Sequence, residues 1–251
     1  MDPMSATDAR PDTESTDPLV EVLDEQQDRD LQDAPDTEIL AALEEMVGHP
    51  QYPCLGARSV FQREAAEIVV LGDMCDPDSL EQLSDALAEY GSRADPAGAF
   101  VSFIAVFRGP EITDEKHFEA LLWDVLQRLH DGDDQPWAQG VDADPDQAHF
   151  AFSHAGVPYF IVGLHPQASR VARRTPLPTL VFNLHEQFEM LRGTGSFERM
   201  RDTIRRRDAQ LQGEVNPMAA DHGDVSEARQ YAGRQVEDDW QAPFRSRQET
   251  P

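Results

Sequence analysis

Apolar side chains recur along this chain at two spacings, and the changes of spacing mark out its elements. Five segments carry them consecutively or at every second position: 67–73 (EIVVLGD), 100–107 (FVSFIAVF), 149–153 (HFAFS), 159–164 (YFIVGL) and 179–183 (TLVFN). Short runs rich in Val, Ile and Phe, bounded by Gly, Pro, Asp or Asn, predict β-strands. No charge interrupts 100–107, which predicts an interior strand covered on both faces. The turn residues at 155–158 predict that 149–153 and 159–164 form an antiparallel hairpin.

Between these runs the spacing becomes helical. Ile39, Leu40, Leu43, Met46 and Val47 form one stripe over 37–47, opened by Asp36 or Thr37 as cap. A short helix is expected after residue 54. Leu80, Leu83, Leu87 and Tyr90 form a stripe after Pro77, and Phe118, Leu121, Leu122, Val125 and Leu129 form one over 113–130, with Thr113 as cap. A last helix is predicted over 185–212, broken or bent near 193–195, with Phe188, Leu191, Phe197, Met200 and Ile204 on its apolar side. The fold class that follows is α/β (α+β): a mixed, largely antiparallel sheet of five strands with helices packed against it.

Composition sets the limits of this domain. Of 251 residues only 39% are hydrophobic, and the polar excess lies at the ends. Residues 1–36 are predicted to be a disordered acidic tail, 37–213 the folded domain and 214–251 a mostly disordered C-terminal tail. No apolar run reaches a membrane span and the first residues lack a secretory leader, so a cytoplasmic protein without a membrane partner is expected. Cys54 and Cys75, the two cysteines, predict neither a disulfide framework nor a cysteine-built zinc site. The aspartates of 131–146 lack the glycine and glutamate of a calcium loop.

A net charge of −27 argues against nucleic acid as a partner. The charge is uneven, however. Residues 1–40 hold thirteen Asp or Glu against two Arg, whereas residues 165–207 hold nine Arg against four acids. An arginine cluster in an acidic chain is what binding carboxylate or phosphate requires. It follows a strand that ends in His165-Pro166, where proline cannot continue the ladder.

Three strings are more specific than these patterns: YPCLGARSVF at 52–61, HPQASRVARR at 165–174 and PTLVFNLHEQFEMLR at 178–192. Together they resemble the YqcI/YcgG family, over residues 38–212. The resemblance implies haem b as cofactor, dioxygen as co-substrate and N-hydroxylation of arginine or another guanidino or amino compound, with electrons from a partner reductase. A haem-binding sensor or carrier without turnover is the alternative, and a homodimer is left open. Within that reading His165 is the first candidate for axial metal ligand. His185 is the second, as ligand or as a donor near bound dioxygen, and Cys54 is the third. Arg170, Arg173 and Arg174 are the candidates for the propionates, and Arg58 for a haem or substrate contact. Asn183 and Gln187 are placed to orient substrate or dioxygen, and Glu186 or Glu189 to pair with a guanidinium.

Overall fold

The computed structural model describes residues 17–193, 195–218 and 225–247. Among them five strands form one sheet in the order β1-β2-β5-β4-β3: β1 (Ala66–Asp73), β2 (Ser102–Gly109), β3 (Phe152–His154), β4 (Val157–Leu164) and β5 (Thr179–Leu184). β1 and β2 are parallel, and the other three pairings are antiparallel. A parallel pair needs a crossover, which α4 (Pro77–Arg93) supplies. The mixed, largely antiparallel sheet expected from the apolar runs is therefore present. β2 lies inside it, between β1 and β5.

Alternation along the strands divides the core in two. Phe103, Ala105, Phe107, Ile161, Leu180 and Phe182 point to one face, covered by α4 and α5 (Glu115–Gly132). Ile104, Val106 and Val181 point to the other, with α1 (Pro18–Gln27), α2 (Asp36–Gly48) and α3 (Leu55–Gln62) against it. The hairpin turn is two residues long, Ala155 at φ 51° and Gly156 at φ 75°. Two consecutive positive φ values are the geometry whose twist matches that of the flanking strands.

Small boundary differences have local causes. The third strand begins at Phe152 rather than at 149, because the His149 carbonyl is taken by the Asp142 N–H at 2.9 Å. Asp114, not Thr113, caps α5 through the His117 N–H at 2.8 Å. The predicted break separates α6 (His185–Gly193) from α7 (Ser196–Gln212), with Gly195 left-handed at φ 65°.

Both tails need correction. Residues 17–36 are not a solvated tail: Asp17 caps α1 through the Leu19 N–H at 3.0 Å, Leu19 and Leu23 are buried against α2, and the Gln26 amide donates to the Ala42 carbonyl at 3.0 Å. Residues 1–16 lie outside the described part. At the other end, α8 (Ala228–Tyr231) brings Tyr231 into the first core. The Tyr231 hydroxyl accepts from the Phe152 N–H at 3.3 Å and donates to the Tyr159 carbonyl at 3.4 Å, and Phe244 packs beside Trp123. Residues 225–247 thus complete the domain. Residues 219–224 and 248–251 are outside the described part. Among the described residues no helix is long and apolar enough to cross a membrane.

Candidate functional site

A cavity of about 310 Å3 opens on the second face of the sheet. Its floor is made by alternate side chains of three strands: Ile104 of β2, Phe160, Val162 and Leu164 of β4, and Val181 of β5. α2 and α3 form one wall, and Met200 and Ile204 of α7 close the other side. The walls are mostly apolar, with few polar groups, the usual character of a small-molecule site.

The polar groups that bear on its chemistry come from four places in the sequence. Tyr52-Pro53-Cys54 leads into α3, with Cys54 extended at the helix entrance. Cys54 caps that helix, its Sγ accepting from the Ala57 N–H at 3.4 Å. Burial pushes the Cys54 thiol up, while the N–H groups of Ala57 and Gly56 and the Arg173 guanidinium pull it down. Tyr52 is buried beside it and reaches the Ala172 carbonyl at 3.5 Å, and burial raises its phenol.

The second place is the short 3-10 turn at Val171–Arg173. A continuous helix would set Arg170, Arg173 and Arg174 on one face, but here they diverge. Arg170 meets the buried Asp208 of α7 at 2.5 Å. Arg173 donates to the Gly163 carbonyl at 3.0 Å and to the Gln230 carbonyl at 3.2 Å, so it joins β4 to α8 while lining the cavity. Its burial lowers its pKa, opposed by Tyr52, Cys54 and Asp208. Arg174 turns away to the Ala168 carbonyl at 2.9 Å and takes no part in the wall.

α7 is the third source, contributing Arg205 and Asp208. Its end is tied to the turn in both directions, since Gln212 accepts from the Val171 N–H at 2.9 Å and donates to the Ser169 carbonyl at 3.2 Å. Asn183 on β5 is the fourth. It accepts from the Ser102 hydroxyl at 2.8 Å and donates to the Phe160 carbonyl at 3.4 Å, linking three strands at the cavity floor.

Cys54, Arg170, Arg173 and Asn183 are therefore brought together, and His165, His185, Gln187, Arg58 and Arg174 are not part of this wall. Gln187 is buried and holds the chain entering β2, accepting from the Val101 N–H at 3.2 Å and donating to the Ala99 carbonyl at 3.3 Å. Arg58 reaches the Pro50 carbonyl at 3.3 Å outside the cavity. His185 is buried at the start of α6, 4.0 Å from Glu189, which also binds Arg192. Neither His165 nor His185, the first two candidates for axial ligand, lines the cavity.

His165 lies on the opposite face. Leu164 points into the cavity, so the next residue points away, where the imidazole stacks on Phe118 of α5 with ring centroids 4.2 Å apart. It is 1% exposed, neither ring nitrogen has a hydrogen-bond partner among the described residues, and burial holds its pKa at about 4. The unfolded chain, with the usual value of 6.5, takes up a proton first as pH falls. Stability should therefore drop between pH 6.5 and 4, by at most about 1.4 kcal/mol per pH unit from this residue. His130 and His154 are lowered by burial too and add to the slope. Urea midpoints measured across that range should fall less steeply for His165→Phe than for the parent chain. Equal slopes would show that His165 is protonated in the folded state.

Tyr52, Arg205 and Asp208 were not singled out by sequence reasoning. Tyr52 sits in the YPC string, so a local signal existed for it. Arg205 and Asp208 lie among the mixed charges of an arginine-rich helix, where nothing local distinguishes an inward side chain from a solvated one.

Comparison with known proteins adds to this geometry. The sequence profile of the YqcI/YcgG family matches residues 43–245. The chain is 31% identical over 189 residues to YcgG of Bacillus subtilis (strain 168), covering 72% of this chain and 75% of that protein. Similarity to YqcI of the same organism is 31% over 173 residues, 66% and 68% of the two chains. A Streptomyces lavendulae protein named "Putative N(omega)-hydroxy-L-arginine synthase DcsA" is 29% identical over 174 residues, 65% of each chain. No solved structure matches.

Proposed function

Because this chain belongs to the YqcI/YcgG family, we propose that it is a haem-dependent oxygenase that N-hydroxylates arginine or another guanidino or amino compound in the sheet-face cavity. Support comes from the similarity to DcsA together with the donor set of the cavity. Haem b asks for an axial donor, apolar walls and cations for its acid groups. Cys54 offers sulfur, the sheet floor is apolar, and Arg170, Arg173 and Arg205 are the cations, so the residues fit the group. Cys54 replaces His165 as the ligand in this proposal, because His165 faces the other core.

When bound, haem b supplies the activation of dioxygen, with electrons from an external reductase. The chain's own residues bind and orient. Burial raises the Cys54 thiol on balance, and the Ala57 and Gly56 N–H groups and the Arg173 charge offset part of that cost, so ligation by sulfur would have to supply the rest. Among the described residues Asp208 is the one carboxylate of the cavity wall, and a guanidinium or ammonium entering an apolar site needs such a counter-charge. Asp208 takes that role in place of Glu186 or Glu189, through the carboxylate oxygen that Arg170 does not hold. Met200 and Ile204 of α7 cover the cavity and limit the entry of water.

The test uses the full chain reconstituted with haem, recorded ferric, ferrous and with carbon monoxide, beside Cys54→Ser and His165→Gln. A stoichiometric Soret band that shifts only in Cys54→Ser, with hydroxylated product from a panel of guanidines, is expected. Failure to bind haem stoichiometrically, or binding without product from any guanidine or amino acid supplied with reductant, would overturn the assignment.

A further inference from the structure

A second cavity, of about 380 Å3, lies on the other side of the molecule. The tip of the β3–β4 hairpin there packs between α4 and the end of α5. Asp85, Asp133, Asp134 and His154 are among the residues that line it. His154 is the residue that makes this more than an acidic patch: it is 2% exposed, and its Nδ1 is buried without a hydrogen-bond partner among the described residues.

The ring's other nitrogen explains which way it is set. Nε2 lies 3.2 Å from the Ser84 carbonyl, which can only accept, and 3.2 Å from the Ser84 hydroxyl. The carbonyl therefore places the proton on Nε2 and leaves a lone pair on Nδ1. Nδ1 lies 3.7 Å from the Asp133 Oδ2, which sets two acceptors side by side. Asp133 cannot swing away. It follows α5 directly, its Oδ1 accepts from the Gln135 N–H at 2.9 Å, and its Oδ2 accepts from the Ala155 N–H at 2.7 Å.

We propose that His154 Nδ1 and Asp133 Oδ2 bind a divalent transition-metal ion of the zinc and cobalt class, which joins the hairpin tip to α4 and α5. Two bonds of about 2.0–2.2 Å close over such a gap at an open angle. The Ser84 carbonyl is the outer partner that a ligating imidazole requires on its second nitrogen. Imidazole nitrogen selects this class over magnesium and calcium, which take oxygen. A bridging proton would not do the same, because 3.7 Å is too long for an N–H···O bond and burial works against protonating His154. Among the described residues no three His, Cys, Asp or Glu converge on one point, so water fills the ion's remaining positions.

The experiment titrates cobalt chloride, then zinc chloride, into the full chain in excess magnesium, which occupies the oxygen-only sites of the acidic surface. Parent, Asp133→Asn and His154→Gln are compared. One cobalt equivalent with a visible d–d band, displaced by zinc, is expected for the parent. Binding should weaken by about tenfold or more in Asp133→Asn and be lost in His154→Gln, and zinc should raise the parent's melting temperature but not theirs. In Asp133→Asn the side-chain amide oxygen still accepts from the Ala155 N–H, so this variant decides the matter even if His154→Gln fails to fold. Absence of the cobalt band in the parent, or unchanged affinity in Asp133→Asn, would overturn the site.

Discussion

A chain ending at residue 218 should not fold cooperatively. Removing the residues beyond takes Tyr231 and Phe244 out of the first core, where they pack on Trp123, with Tyr231 also on Phe150 and Phe160 and Phe244 on Phe152. Loss of one buried aromatic side chain costs about 3–5 kcal/mol, and two are lost here. The truncation also strips Arg234 from Glu119, a buried pair at 2.8 Å, and so leaves a carboxylate uncompensated in the interior. It removes the Gln230 carbonyl that Arg173 binds at the first cavity as well. Domains of this size retain roughly 5–15 kcal/mol in total, so the combined loss exhausts it. Near-ultraviolet circular dichroism and a urea titration of the 1–218 chain are the checks. A sharp transition at the parent's midpoint would show that residues 225–247 lie on a core complete without them.

Asp208→Ala should be the most damaging single change at the first cavity. It leaves the Arg170 guanidinium, 7% exposed, without its carboxylate at 2.5 Å. Breaking a buried pair from one side costs about 3–5 kcal/mol. Glu214 stands 3.9 Å from the same guanidinium and is mostly exposed, which moderates the loss to about 3 kcal/mol. Replacing both partners, Arg170→Met with Asp208→Leu, removes the stranded charge and should recover most of the stability. α7 should keep its place in that double variant through Gln212, and the guanidine binding proposed above should be absent from it, because the cavity has then lost its carboxylate. Urea midpoints for Arg170→Met, Asp208→Leu and the double variant form the cycle, with Asp208→Ala measured beside them. A double variant no more stable than Asp208→Ala would mean that the charge pair itself, and not the unpaired arginine, sets the cost.

Much of the architecture was legible from side-chain periodicity, because a strand buried on both faces must be apolar throughout and a surface helix must carry a stripe. All five strands follow from that requirement, while the turn residues at 155–158 mark the hairpin and the glycines at 193 and 195 the break before α7. The ends of the domain were not legible. Leu19 and Leu23 sit among acids, and Tyr231, Trp240 and Phe244 among polar residues, so each segment alone lacks enough apolar surface to offset its chain entropy. Only docking onto a core made elsewhere orders them.

The candidate site divides along the same line. Amino-acid sequence alone determined that Cys54, the 170–174 arginines and Asn183 belong to strings of a recognisable kind. It could not determine which of them share a cavity, because both faces of the sheet are apolar and alternation gives the parity of a side chain without saying which parity faces a void. Tertiary structure decided that Leu164 faces the cavity and His165 the α5 core. It also turned Arg174 away, by making residues 171–173 a 3-10 turn instead of a helix, and brought in Arg205 and Asp208 from a helix further along the chain. The physical reason is that a cavity is the space left where helices and sheet fail to meet, a property of packed surfaces that no local pattern carries.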